Sequence, residues 1–444
     1  MISPKIFRDL PKFFLSLGAY RFQLNGWLRP QTSDERIVSP LHDQTTMASV
    51  TSLDQTNQAE EKMAPRDVRI AWIAPSLDRG WRWQPFLKEF SKICPNTVVF
   101  TGFWSGFTRG FEKAFKIQRI PGYKRVGHSA SDMGYPKGFM WVSPRLVADL
   151  FRFRPKIIIT NGFHLCTAYA LLVKLILRSR LVLLWQGVSP ETGGDAGSLR
   201  LKVRRMLSHA FDLAICNTQE GVRYLEDVVG MPSEKVRQFV GEVADRESFF
   251  LEQKEEDFLK RAQRPIFLFV GRLIRAKGVH RLLEACALLV QKGINNFSIV
   301  LVGSGGHRIE FLELVRKLGI ERQVRWEGFI PYENLGPYYN TCDVFVLPSI
   351  EDTWGVVVLE AMCFGKPVLC SRYAGSSEVV RHGTNGYVFD PCNPEELANY
   401  MMQFIGKPEL STVYGAASKK IMATLTHKHA AAALSRILLD TPDA

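Results

Sequence analysis

Asp352 and Glu360 stand eight residues apart in the stretch Ser349-Ile350-Glu351-Asp352-Thr353-Trp354-Gly355-Val356-Val357-Val358-Leu359-Glu360-Ala361-Met362, across a glycine and an apolar run. Carboxylates so placed can accept hydrogen bonds from sugar hydroxyls. The run Val344-Phe345-Val346-Leu347-Pro348 before them has strand character, and Val356 to Phe364 after them suits a buried helix, which makes Asp352 to Gly355 the turn between the two. Ligands of open α/β sheets bind beyond the carboxyl ends of the strands. A helix starting near Val356 would also aim backbone N–H groups at that turn, an arrangement suited to phosphate. Taken alone, the same residues are explained equally well by an acidic residue favoured at a helix start and a solvated Glu.

Two further turns add cations and glycines. After the apolar strand Ile266-Phe267-Leu268-Phe269-Val270 comes Gly271-Arg272-Leu273-Ile274-Arg275-Ala276-Lys277-Gly278. Gly271 lets backbone approach a ligand, while Arg272 and Lys277 match a diphosphate in charge and geometry. A second strand ends in Leu301-Val302-Gly303-Ser304-Gly305-Gly306. Each turn alone fits an ordinary strand-to-helix loop, and their joint occurrence with Asp352 and Glu360 points to a site.

These turns need a frame, and the sequence supplies one. Strands at Arg69 to Ala74, Thr97 to Thr101, Lys156 to Thr160, Leu181 to Trp185 and Asp212 to Asn217 alternate with helical stretches, and the alternation restarts at Ile266. That pattern predicts parallel sheets with helices on both faces, in an α/β chain of two doubly wound Rossmann-like domains facing across a cleft. The expected divisions are a disordered or linker extension over 1–67, an N-terminal domain over 68–241, and a charged linker over 242–264. A second domain over 265–405 follows, and helices over 406–444 are expected to pack back towards the N-terminal domain. At 46% hydrophobic and 23% charged residues, the composition is that of a globular protein.

In its C-terminal half the chain resembles the retaining glycosyltransferases of family 4, which have the GT-B architecture. The residues that carry the resemblance, in family order, are Val270 to Leu273 with Lys277-Gly278, Leu301 to Gly305, Trp326 to Ile330, Asp343 to Ser349, Asp352 to Met362, Gly365 to Val368 and Gly383 to Tyr387. Order and spacing match over Arg69 to Val240 as well, though sequence hardly does. The resemblance implies that Arg272 and Lys277 hold a donor diphosphate and that Glu360 bonds the ribose hydroxyls. It further implies that backbone at Gly303 and Ile330 frames the base, and that Gly271, Asp352 and backbone at Gly355, Val356 and Val357 lie near the phosphate and sugar. The first carboxylate of the family's pair is usually Glu, so Asp352 is one methylene short, and the adjacent Glu351 is a rival for its role. In the first loop only Gly80 stands where the family has a glycine pair. His164, with Asn161 and Gln186 nearby, is the best-placed candidate for the family's cleft histidine, and His128 is the second choice.

The implied reaction is transfer of a hexose from a nucleotide diphosphate sugar, with retention, to a glycan, glycolipid or lipid-linked acceptor. The leaving phosphate takes the acceptor's proton while Arg272 and Lys277 stabilise the charge, so neither a cofactor nor a metal is expected. Lys277→Ala is expected to lower turnover far more than stability. A nucleotide-sugar epimerase of the same architecture and a non-catalytic membrane-surface binding protein stay open as alternatives. A dinucleotide oxidoreductase is disfavoured, because Ala74-Pro75-Ser76-Leu77-Asp78 lacks the glycine fingerprint after the first strand.

The net charge of +13 is concentrated: between Phe100 and Val182 there are 14 Lys or Arg against Glu112, Asp132 and Asp149, interleaved with aromatics including Phe103, Trp104, Phe107 and Phe115. Such a segment fits an ordinary solvated basic face with core aromatics, and equally an anionic membrane surface or an anionic acceptor, better than nucleic acid, which is not expected as a partner. Eight dispersed cysteines without metal or redox spacing, and the lack of a signal-peptide pattern, lead to the expectation of a cytoplasmic protein, peripheral at the inner face of the membrane.

Overall fold

The computed structural model describes residues 67–77, 80–108, 110–126, 133, 139–187, 199–249 and 262–439. The extension expected over 1–67 lies outside the described residues except for Asp67, as do His128 and residues 250–261 of the expected linker.

The N-terminal domain is built on a seven-stranded sheet. Its strands are β1 (Ile70–Ile73), β2 (Thr97–Thr101), β3 (Lys116–Arg119), β4 (Ile157–Asn161), β5 (Arg180–Trp185), β6 (Leu213–Cys216) and β7 (Val236–Gln238). They lie in the order β7-β6-β5-β4-β1-β2-β3, all parallel. Successive residues of β1 serve opposite faces, as a two-residue period requires. Ile70 and Trp72 join one apolar cluster, with Phe86 and Phe90 of α1 (Gly80–Ile93). Ala71 and Ile73 join the other, with Leu146 and Leu150 of α2 (Arg145–Phe153) and Ala170 and Val173 of α3 (Leu165–Leu177). Helix α4 (Leu199–Ser208) and α5 (Gln219–Arg223), which runs on as a π-helical turn over Tyr224–Val228, complete this half.

In the C-terminal domain a six-stranded parallel sheet has the order β10-β9-β8-β11-β12-β13. Its strands are β8 (Ile266–Val270), β9 (Ser298–Val302), β10 (Val324–Gly328), β11 (Val344–Leu347), β12 (Val368–Ser371) and β13 (Gly386–Phe389). Around it lie α6 (Val279–Gln291), α7 (Arg308–Leu318), α8 (Gly336–Thr341), α9 (Val357–Cys363), α10 (Pro394–Gly406) and α11 (Glu409–Met422). In both sheets the first strand is central and the order reverses beside it, between β1 and β4 and between β8 and β11. Such switch points open a crevice at the carboxyl ends of the strands.

Several details depart from the sequence reading. The basic region after β2, expected to be irregular, contributes β3, while Trp104 and Phe115 are buried in the N-terminal core and only part of the aromatic set stays at the surface. The stretch 242–249 is packed, with Val243, Ala244 and Phe249 buried and Phe249 in ring contact with Tyr332, Tyr339 and Phe364. Helix α11 stays with the C-terminal domain, where Ser418 Oγ donates to the Lys366 carbonyl at 2.8 Å. Only α12 (His427–Leu439) crosses back, burying Ala431, Leu434 and Leu438 in the same cluster as Phe86 and Phe90. Seven cysteines are buried or partly buried and Cys392 is exposed, all with free thiols. Among the described residues no helix is long and apolar enough to cross a membrane.

Candidate functional site

The C-terminal switch point gathers most of the residues singled out from sequence. The loop after β8 carries Gly271 and Arg272 and leads into a 3-10 turn, Arg275–Lys277, while the loop after β11 carries Asp352. Two backbone N–H groups of that second loop, those of Ile350 and Glu351, donate to the Ala276 carbonyl at 2.9 and 3.0 Å. This backbone tie holds the loops together, and Lys277 Nζ meets Asp352 Oδ2 at 2.6 Å. Both side chains are mostly buried, at 13% and 12% exposure. Ser349 Oγ lies 3.4 Å from the same carboxylate oxygen. The shorter Asp352 thus reaches the cation of the site, while Glu351 is buried beside it.

Glu360 projects from α9, whose first residue Val357 follows Gly355 and Val356 directly. The side chain is 1% exposed, and the Tyr339 hydroxyl donates to its Oε2 at 2.6 Å. Hydrogen bonding to a buried carboxylate both solvates it and fixes its rotamer. A small, partly open cavity between the domains is lined by Glu360, Val356, Tyr332, Glu242, Trp83 and His427 among others. Tyr339 was not found from sequence, because it stands 21 residues before Glu360 and on a different element.

The base-side expectation rests on neighbouring strands. Gly303 directly follows β9 and its N–H donates to the Gly328 carbonyl at the end of β10, at 2.6 Å; Ile330 follows two residues later. Gly303 has φ +140°, and a Cβ there would overlap the Gly271 carbonyl oxygen. Only glycine fits that conformation and that approach.

On the N-terminal side, Gly80 opens α1 after β1, and His164 caps α3 after β4, so both flank that domain's switch point. Residues 78 and 79 of the first loop lie outside the described residues. The His164 backbone N–H donates to Thr167 Oγ1 at 3.3 Å, at the start of α3. The His164 ring touches solvent, yet the protein packed around it and then the Arg204 charge lower its pKa to about 4, against a backbone hydrogen bond at Asn161 that raises it. At neutral pH it is an uncharged donor and acceptor. The other two candidates are engaged elsewhere: Asn161 Oδ1 accepts from Trp72 Nε1 at 3.1 Å, and Gln186 Nε2 donates to Glu242 Oε1 at 2.5 Å. Arg204, absent from the sequence reading, is 7% exposed, lies over the rings of Trp185, Phe163 and Tyr224, and donates to the Tyr224 hydroxyl at 2.6 Å.

Two Rossmann-like domains whose switch-point loops face one cleft define the GT-B fold, and the chain has it. Similar solved structures bear this out: Anabaena HepE in complex with UDP matches with a TM-score of 0.66 at 18% identity, over 84% of this chain and 100% of that one. Sucrose-phosphate synthase of Thermosynechococcus elongatus matches with a TM-score of 0.63 at 19% identity, over 84% and 98%. In sequence, residues 251–421 match the family described as Glycosyl transferases group 1. An uncharacterized glycosyltransferase of Methanocaldococcus jannaschii is 36% identical over 133 residues, 30% of this chain and 34% of that one. D-inositol 3-phosphate glycosyltransferase of Corynebacterium urealyticum is 34% identical over 221 residues, 47% and 51%. The chain therefore spans about a third to a half of the length of these relatives.

Proposed function

We propose that the protein is a retaining glycosyltransferase that moves a hexose from a nucleotide diphosphate sugar to a glycan, glycolipid or lipid-linked acceptor. The observation that carries this reading is the Lys277–Asp352 pair at the C-terminal switch point, with the buried Glu360 facing the cavity between the domains. Arg272 and Lys277 hold the diphosphate and stabilise the charge that develops as it leaves. Glu360, oriented by Tyr339, takes the ribose hydroxyls, and Gly303 and Ile330 frame the base. Asp352 shares the Lys277 ammonium with the donor and turns its free lone pairs to the sugar. His164, neutral at physiological pH, contributes a hydrogen bond from the acceptor side. None of these steps calls for a metal.

The donor is tested by calorimetry with UDP, GDP and ADP, then by transfer assays with UDP-glucose and GDP-mannose, UDP-glucose first because HepE has also been solved with it. The wild type should bind one nucleotide, and Glu360→Gln should weaken that binding at least about tenfold. Binding unaffected by Glu360→Gln would remove the assignment, and donor turnover without acceptor would favour the epimerase. Retention is read from the anomeric NMR signal of the product.

We further propose work at the inner, cytoplasmic face of a membrane, supported by the exposed Lys116, Arg119, Lys124, Arg145, Arg154 and Arg178 of the basic segment and by the exposed Leu175 and Ile176 at the end of α3. Sedimentation with phosphatidylserine vesicles at low salt and at about tenfold higher salt tests it: salt should release the protein.

A further inference from the structure

Glu378 belongs to the C-terminal domain, on the 3-10 turn Gly375–Val379 after β12, but its carboxylate is bonded to the other domain. The Gln219 backbone N–H, at the first residue of α5, donates to Oε1 at 2.8 Å and Oε2 at 3.0 Å, and Gln238 Nε2, at the end of β7, donates to Oε2 at 2.8 Å. A carboxylate at the first turn of a helix also meets the positive end of its dipole. Burial raises the Glu378 pKa, and the N–H groups of Gln219 and Glu220 and the Gln238 amide oppose that rise. The donors in turn are satisfied by a group that only the facing domain can bring.

Backbone packing beside this contact is close. Gly187, two residues after β5, has φ +146°, and a Cβ on it would stand 2.5 Å from the Thr353 carbonyl oxygen. A Cβ on Gly375 would meet the same oxygen at 2.5 Å and Thr218 Cγ2, of the residue before α5, at 2.6 Å. Thr353 is the neighbour of Asp352, and the turn that bears Glu378 is tied to the same loop. Gly375 N–H donates to the Asp352 carbonyl at 3.1 Å, Ser376 N–H to the Trp354 carbonyl at 2.7 Å, and Asp352 N–H to the Tyr373 carbonyl at 3.2 Å. Donor loop and interdomain contact therefore move as one unit.

We propose that Glu378 is a positioning residue that latches the two domains and, through the 352–354 loop, couples their closure to the placement of Asp352. The role in transfer rests on the function proposed above, whereas the latch itself does not. Closure completes a site only if it is worth something in free energy, and the loss of a charge-assisted contact to the Gln219 N–H and the Gln238 amide, at the exposed rim between the domains, is of the size that shifts such an equilibrium.

The test uses the full chain carrying Glu378→Gln or Glu378→Ala. Amide exchange at Gln219 should accelerate at least about tenfold and the radius of gyration should increase, both without ligand. UDP affinity should stay within about twofold while kcat falls about tenfold, since the nucleotide contacts lie wholly in the C-terminal domain. Unchanged exchange and scattering in both variants would overturn the latch, and unchanged kcat in an otherwise active enzyme would overturn its coupling to transfer. A wild type that binds no nucleotide refutes the proposed function and leaves the latch to be judged by exchange and scattering. If Glu378→Ala does not fold, Gln238→Ala, which removes one donor from the opposite domain, decides by the same exchange measurement.

Discussion

The ion pair between Lys277 and Asp352 changes what a substitution at either position measures. From sequence, Lys277→Ala should cost turnover and little stability. With both partners mostly buried, removing the ammonium leaves a desolvated carboxylate, and Lys277→Met should lower stability by about 3 kcal/mol. Adding Asp352→Asn should restore most of that loss without restoring transfer, a non-additivity that urea unfolding of the two single variants and the double variant would reveal. His164 offers a pH test. Its pKa is lowered from 6.5 to about 4 in the folded chain, so on acidification the unfolded chain takes up the proton first. Stability from this group is intact above about pH 6.5 and is lost between there and 4. His164→Asn should therefore lose less stability than the wild type on going from about pH 7.5 to about pH 4.5, by urea midpoints. The chemistry-bearing residues were legible because charge and glycine in an apolar stretch stand out. Tyr339 and Arg204 were not, since their partners Glu360 and Tyr224 are 21 and 20 residues away and no local spacing joins them.

At the scale of elements, the central strands of the two large sheets were legible and three of the four edges were not. Three strands of the two large sheets escaped the sequence reading, β3 (Lys-Ile-Gln-Arg), β7 (Val-Arg-Gln) and β13 (Gly-Tyr-Val-Phe), and each lies at an edge of its sheet. A strand covered on both faces must be an apolar run, whereas an edge strand can be short and partly polar and so blends into loops. Where strand ends approach each other the constraint is strict again. Gly303→Ala adds a methyl group that collides with the Gly271 carbonyl, at a φ that L-residues rarely adopt. It should lower the stability of the C-terminal domain by at least about 2 kcal/mol and abolish nucleotide binding, as read by thermal unfolding and calorimetry.

At the scale of the molecule, the chain crosses between its domains twice, outward over 241–249 and back before α12. Leu434 of α12 is fully buried in the N-terminal core, and Met401 of α10 is fully buried in the C-terminal one. Leu434→Ala should cost about 2–5 kcal/mol and depress the unfolding transition of the N-terminal domain, while Met401→Ala should depress the other, separable by calorimetric scanning. The two-domain division was legible from the restart of the strand-helix alternation at Ile266. The return of α12 was expected more broadly, for all the helices after 405, because amphipathic helices do not announce which core they serve.

That return gives the N-terminal domain an order of assembly. Its sheet is complete once β7 has been synthesised, but the apolar face of α1 that receives Leu434 and Leu438 stays uncovered until roughly two hundred further residues have left the ribosome. The half of the protein made first is thus the half finished last, and a nascent chain halted inside the C-terminal domain would present that bare helix face to chaperones.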